Sequence, residues 1–215
     1  MMTYLSRILF VTAIGCIILF DSAAQPLNYT VKNAHAHNDY LHAVPFYSAF
    51  KSGFGSIEAD VYPMNGELLV AHGKSEIQKD RTLCKLYLMP LKAELKKNPE
   101  RRLILLIDIK EKHPEALSIL VNQLKPLKKR LTTQSRQGQL TVVISGNRPL
   151  PSQYYRYPDY LYFDSDLSKT HTAIEWKRVG LVSLQFSKLS KWKGVGEISL
   201  KDETLLKHKI DSVHA

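Results

Sequence analysis

The sequence predicts an α/β protein, a TIM-type (β/α) barrel that is incomplete, with about six of the eight parallel strands. Three observations carry that expectation. Short apolar, β-branched runs alternate with longer amphipathic ones, as strand–helix units around a parallel sheet require. The ionisable residues inside those runs lie toward their carboxyl ends, where parallel barrels keep their chemistry. The chain has 215 residues, whereas a complete barrel typically needs roughly 250.

The elements follow in order. Residues 31–37 read as a first strand, ending in Ala34-His35-Ala36-His37-Asn38-Asp39. A helix over 45–52 is closed by Gly53, and a strand over 56–62 contains Ile57-Glu58-Ala59-Asp60-Val61. Residues 68–72 form a hairpin return after a turn at Asn65-Gly66, a pair suited to tight hairpins. A helix over 89–97 carries Pro90 in its first turn and stops at Asn98-Pro99. The run 103–110 is too apolar for a surface strand. A helix opens at Pro114 and extends to 131, but Pro126 should divide it. Strands at 141–145, 160–164 and 181–186, with helices at 169–179 and 200–209, complete the pattern. Six parallel strands leave the first and last unpaired. The expectation is therefore a chain that lacks the final units, with a gap between the strands near Val31 and Leu181.

Composition bounds the function. With 44% hydrophobic and 23% charged residues the chain is an ordinary folded one, which excludes disorder and coiled coil. A net charge of +10 admits an anionic partner, whether nucleic acid, a phospholipid surface or a phosphorylated substrate. Lys and Arg are scattered along the sequence rather than interleaved with aromatics, so nucleic acid is not expected. Arg7, the apolar run 8–20 and Ser22-Ala23-Ala24 read as an export signal over residues 1–24. That run is short for a membrane span, which needs about 20 residues. Residues 25–215 would then be one exported domain, periplasmic or secreted, with Cys84 as its single thiol. No intramolecular disulfide and no paired-cysteine zinc site can form in it.

Strand alternation sends Glu58 and Asp60 to one face of their strand and Ile57, Ala59 and Val61 to the other. In a strand buried on both faces two such carboxylates need a cation, unless the strand is an exposed edge. Asp108 and Lys110 project together from the end of the run 103–110 and add a third carboxylate. Three carboxylates without cysteine make a hard oxygen site for Mg²⁺ or Ca²⁺. Lys110 is either a counter-ion of Asp108 or a contact for a phosphate oxygen. His35, His37 and His72 fall at strand ends beside these acids, whereas His42, His113, His171, His208 and His214 fall in helix or loop settings.

These residues together resemble the phosphatidylinositol-phospholipase-C-like phosphodiesterases, which include glycerophosphodiester phosphodiesterases and sphingomyelinase D. Within that group the run from His-x-His-Asn-Asp-Tyr through Ile-Glu-Ala-Asp-Val is similar to the altered inheritance of mitochondria protein 6 family. The likeness covers residues 33–112 and, more loosely, 181–196. It implies Glu58, Asp60 and Asp108 as metal ligands, His37 and His72 as catalytic histidines, and Lys110, Asn38 and His35 as substrate-side residues, His35 as a partner behind the first histidine. It implies an exported, metal-dependent phosphoric diester hydrolase with a phosphodiester or phospholipid-type substrate, used at a possible membrane surface. Asn38-Asp39 and Phe46-Tyr47 depart from the Arg-Gly and Glu-Asn of the glycerophosphodiesterases. Two other readings use the same residues: a barrel impaired or reduced to binding, and a zinc amidohydrolase, which also opens on His-x-His but leaves Glu58 and Asp60 without a role.

Overall fold

A computed structural model describes residues 28–214, and the export signal expected over residues 1–24 lies outside them. Its sheet is built from β1 (His35–Ala36), β2 (Ser56–Met64), β3 (Glu67–Val70), β4 (Leu103–Ile109), β5 (Leu140–Gly146), β6 (Leu161–Ser165) and β7 (Val179–Val182). The order is β1-β2-β4-β5-β6-β7, all neighbours parallel, with β3 antiparallel to the end of β2. Six parallel strands curl into an incomplete TIM-type barrel, and β1 and β7 are not paired with each other among the described residues. The β2–β3 hairpin turns at Asn65 and Gly66, both at positive φ, as the sequence requires there.

Helices α1 (Tyr47–Ser52), α2 (Met89–Lys97), α3 (His113–Gln123), α4 (Ala173–Trp176), α5 (Phe186–Leu189) and α6 (Leu200–His214) lie between and after the strands. Alternation along the strands decides what the core contains. Ile57, Ala59 and Val61, then Leu105, Ile107 and Ile109, then Val142 and Ile144 share the large core with Leu91, Leu95, Leu117 and Leu120. Each fully buried Leu or Ile there is worth about 1.5–3 kcal/mol. The opposite face carries two rows. Leu106, Val143 and Tyr162 form a small apolar cluster level with Glu58. One step nearer the carboxyl ends, Asp60 pairs with Asp108 and Asp108 with Ser145.

Three expectations are corrected. Residues 31–33 form a 3-10 turn, so β1 is two residues long; the Thr30 amide donates to Asn33 Oδ1 and the Lys32 amide to Thr30 Oγ1, local bonds that compete with the strand. The helix foreseen over 169–179 is a single turn, because Thr172 and Glu175 form a reciprocal cap that starts it at Ala173. The last strand begins at Val179 rather than Leu181, and Phe186 opens α5. Cations dispersed along the sequence also meet in space. Lys92, Lys96, Arg102, Lys125, Lys128 and Lys129 border one groove of about 1200 Å³ by the amino-terminal ends of β4 and β5, with no aromatic side chain in its described lining. The break at Pro126 occurs as expected: α3 ends at Gln123 and a 3-10 segment spans Lys125–Arg130. Among the described residues no helix is long and apolar enough to cross a membrane.

Candidate active site

The parallel pairing of β2 with β4 fixes the centre of the site. Because Asp60 is opposite Asp108 and Glu58 is one pleat back, oxygens of all three carboxylates lie within 4.8 Å of one another. Asp60 is fully buried and Glu58 nearly so, which confirms a strand enclosed on both faces rather than an exposed edge.

Three like charges so close need compensation, and the structure supplies it from three directions. Lys110 Nζ is 2.7 Å from Asp60 Oδ2 and 3.4 Å from Asp108 Oδ2, so it serves Asp60 more closely than the Asp108 partner foreseen. His37 Nδ1 is 2.7 Å and His35 Nε2 3.3 Å from Glu58 Oε2, which also accepts the Asn38 amide at 3.2 Å. Tyr40 donates its hydroxyl to Asp60 Oδ2 at 2.6 Å, and His72 Nδ1 lies 3.2 Å from both of those oxygens. The protonation equilibria follow. Burial raises the Asp108 carboxyl, with Lys110 pulling the other way. Burial also works to raise Glu58, but hydrogen bonds from His35 and the Asn38 amide outweigh it and hold the carboxyl below its ordinary value. Burial opposes the Lys110 ammonium, yet Asp60 and Asp108 raise it on balance. Burial and the bond to Asp60 push the Tyr40 phenol far up, so it stays a donor.

Asp60 Oδ1 is buried with no hydrogen-bond partner among the described residues. Three carboxylates against one ammonium leave a formal charge of −2, every donor is a hard oxygen, and one oxygen is unclaimed. Glu58, Asp60 and Asp108 thus fit a single Mg²⁺ or Ca²⁺. A second set, His35, His37 and Glu58, also places one atom each within 4.8 Å and shares Glu58 with the first.

The three histidines are not equivalent. His35 uses both ring nitrogens, Nδ1 against Ser56 Oγ at 2.8 Å and Nε2 against Glu58, and so braces the carboxylate. His37 and His72 each engage Nδ1 with an acid while most of the ring stays exposed, 73% and 59% of the side chain. Asn38 adopts φ +49, which Asn tolerates better than most residues, and its Oδ1 accepts from Tyr40. It therefore has an architectural task irrespective of any substrate contact. Sequence reasoning assigned nothing to Tyr40 or Asp39, although both stand in the quoted motif. Asp39 is fully buried and accepts from the Phe46 amide at 2.5 Å and the Tyr87 hydroxyl at 3.0 Å, tying the segment after the first strand to the core. The signal was their place beside His37; what hid it was that these are tertiary bonds.

Three acids, Lys110, His37 and His72 thus gather at the carboxyl end of a curled parallel sheet. Residues 27–99 match the AIM6-like phosphodiesterase domain. Similar proteins include the altered inheritance of mitochondria protein 6 homolog of Arthroderma benhamiae, 35% identical over 60% of this chain and 51% of the relative. The altered inheritance of mitochondria protein 6 of Eremothecium gossypii is 31% identical over 54% of this chain and 37% of its own length; that of Kluyveromyces lactis is 28% identical over 59% and 40%. The chain thus spans about half or less of the length of these curated relatives. No solved structure matches it.

Proposed function

We propose that this chain is a metal-dependent phosphoric diester hydrolase acting on a glycerophosphodiester or phospholipid-type small molecule, in an exported protein that works at a membrane surface. The observation that carries the reading is the flanking of three convergent carboxylates by His37 on one side and His72 on the other.

A phosphodiester resists hydrolysis because the nucleophile approaches an anion and an alkoxide has to leave, so charge neutralisation and two proton transfers are needed. Glu58, Asp60 and Asp108 would hold one Mg²⁺ or Ca²⁺, which when bound neutralises phosphate charge. Lys110 adds a positive charge beside Asp60 and Asp108 that a phosphate oxygen can share. The acids facing His37 and His72 fix Nδ1 of each ring as the protonated nitrogen, so Nε2 is the atom that exchanges protons. One histidine takes the proton from the attacking hydroxyl, of water or of the substrate itself, as the new O–P bond forms. The other gives a proton to the departing alkoxide oxygen as the old P–O bond breaks.

The test is hydrolysis of glycerophosphodiesters, lysophospholipids and bis-p-nitrophenyl phosphate, with Mg²⁺ or Ca²⁺ and with EDTA. Metal-dependent cleavage of at least one diester is expected; no cleavage of any of them refutes the reading. A second reading, a zinc hydrolase using His35, His37 and Glu58, is favoured by that overlapping donor set. Activity restored by Zn²⁺ but not by Mg²⁺ or Ca²⁺ would select it.

A further inference from the structure

Away from the carboxylates, positive charge is concentrated at the opposite end of the sheet. The groove of about 1200 Å³ there brings Lys92 and Lys96 of α2 together with Lys125, Lys128 and Lys129 of the 3-10 segment. These lysines are exposed, the described lining contains no acid, and no ion pair holds any of them among the described residues. Glu94, the acid of α2, is taken by Lys97 at 2.9 Å. Lys92 and Lys96 stand four residues apart on one helix, a like-charge spacing that destabilises the helix carrying it. A bound anion would relieve that repulsion.

The frame of the groove is fixed by hydrogen bonds to backbone. Arg130 Nη1 donates to the Leu95 carbonyl at 3.0 Å, Arg102 Nη1 to the Gly138 carbonyl at 3.0 Å and Arg136 Nη2 to the Leu131 carbonyl at 2.7 Å. Gln139 Nε2 adds bonds of 3.0 Å to the Asn98 and Pro99 carbonyls. The end of α2, the 3-10 segment and residues 136–139 are thereby tied together, and the arginines serve as walls. The cations that reach into the groove are the lysines. An ammonium is a point charge without the planar fork of a guanidinium, so the groove selects for charge density rather than for the shape of one anionic group. Three kinds of polyanion meet that description, and the lining separates them. Single-stranded nucleic acid binds by stacking bases on aromatic side chains, which the described lining lacks. A bilayer is flat and meets only the rim of a groove, and peripheral binding also uses inserted apolar side chains. The exposed Leu41, Val44, Leu150, Phe186 and Trp192 all lie on segments that follow the carboxyl ends of strands, at the other end of the sheet. A narrow, flexible chain of charges is what fits inside.

We propose that this groove holds a linear chain of closely spaced phosphates, bound by the lysines through charge. The proposal goes beyond the phosphodiesterase reading and does not rest on it. Arg102, at the foot of β4, and Asp108 are separated by roughly 20 Å of strand at about 3.3 Å per residue. The test runs in EDTA, where the carboxylate end repels anions. The probe is short-chain inorganic polyphosphate, titrated into the full chain by calorimetry at several NaCl concentrations. Neutralising about five charges should make log K fall with log salt at a slope of about −3.5, by the relation that holds for single-stranded polyanions. Lys125→Gln, Lys128→Gln and Lys129→Gln together should weaken binding about tenfold or more at low salt and reduce the slope to about −1.5. Lys92→Gln with Lys96→Gln serves as the second variant should the triple one fail to melt cooperatively, and a slope of about −2 is expected there. The control is Lys188→Gln, Lys191→Gln and Lys193→Gln, which removes the same charge from an exposed segment after β7 and should leave most of the affinity. Equal loss in that control would mean that net charge alone does the binding and would overturn the proposal, as would no binding at low salt. Tighter binding of an oligothymidylate of equal charge would make the occupant a nucleic acid. Groove-dependent sedimentation with phosphatidylglycerol vesicles, without polyphosphate binding, would make it a bilayer. Either result overturns the assignment.

Discussion

Asp60→Asn isolates the charge on which the candidate metal site depends. In the wild type Asp60 faces Glu58 and Asp108, offset by Lys110, the Tyr40 hydroxyl and His72 Nδ1. At an effective dielectric constant of about 20, two carboxylates 4.8 Å apart repel by about 3.5 kcal/mol. The variant loses that repulsion but also loses most of the attraction to Lys110, so the metal-free proteins should melt within a few degrees of each other. The metal increment is different. A cation at 100 times its dissociation constant adds about 2.7 kcal/mol to stability, and a domain of this size gains about 2–4 °C per kcal/mol, so the wild type should rise by about 5–11 °C. In the Asp60→Asn protein the formal charge of the cluster falls from −2 to −1 and one of three anionic oxygen donors is gone, so most of the rise should vanish. The assay is thermal unfolding of both proteins in EDTA and in saturating Mg²⁺ or Ca²⁺. Identical wild-type melts in all three conditions, or a full rise in Asp60→Asn, would refute the reasoning.

His37→Ala and His72→Ala should each lower diester turnover by roughly 10² or more with little change in melting temperature; His113→Ala, which removes only a ring bonded to Asn147, should leave turnover as it was. His35→Ala should act differently, loosening Glu58 and so weakening metal-induced stabilisation, which the same melts would read. Gly146→Ala forces a side chain into φ +66 and against Asp108 Oδ1 and the Ile109 carbonyl, so it should cost at least about 1–2 kcal/mol and abolish the metal increment. Burial raises the Asp164 carboxyl, the bond from Ser183 only partly offsetting it. A raised acid favours the folded state while protonated and loses that contribution as pH climbs from the unfolded value, about 4, through the folded one. Asp164→Asn should therefore melt above wild type at neutral pH, with the gap closing below about pH 4; a gap independent of pH would contradict this.

Most strands were legible because their chemistry is local. Leu103–Ile109 is apolar enough to be nothing but a buried strand, and the alternation in Ser56–Met64 fixed which acids share a face. Met89–Lys97 was bounded by its own proline and asparagine. What failed was also local, but of a kind periodicity does not see: the caps at Thr30 and Thr172 reset the chain over distances shorter than a strand or a helix. In the site, Glu58 and Asp60 were legible from alternation along one strand, and Asp108, His35, His37 and His72 from their places at or beside strand ends. Tyr40 was not, since its partners Asp60 and His72 lie 20 and 32 residues away and meet it only across the fold. Lys110 was assigned to the nearer acid in sequence, whereas the parallel register brings it closer to the acid on the adjacent strand. The basic groove escaped for the same reason, its lysines coming from separate helical segments.

The placement of that groove bears on how an anionic substrate is treated. The cations at the amino-terminal ends of β4 and β5 are separated from the carboxylates by the length of the strands, so they do not set the local field at the reacting centre. A net charge of +10 draws phosphate-bearing molecules toward the whole protein, at a range limited by ionic strength to about 8–10 Å. At the carboxyl ends the local balance is negative, and only a cation on the acids, with Lys110, makes that end hospitable to a phosphodiester. On the proposed reading, metal binding would therefore be a condition on substrate binding as well as on turnover. The His37→Ala protein, whose turnover should fall roughly 10²-fold or more, makes the point measurable: its affinity for a non-lipid phosphodiester should be strong with Mg²⁺ or Ca²⁺ and nearly lost in EDTA. Equal affinity in both conditions would mean that the phosphate is held by the cations of the far groove, and would remove the carboxylate cluster from substrate binding altogether.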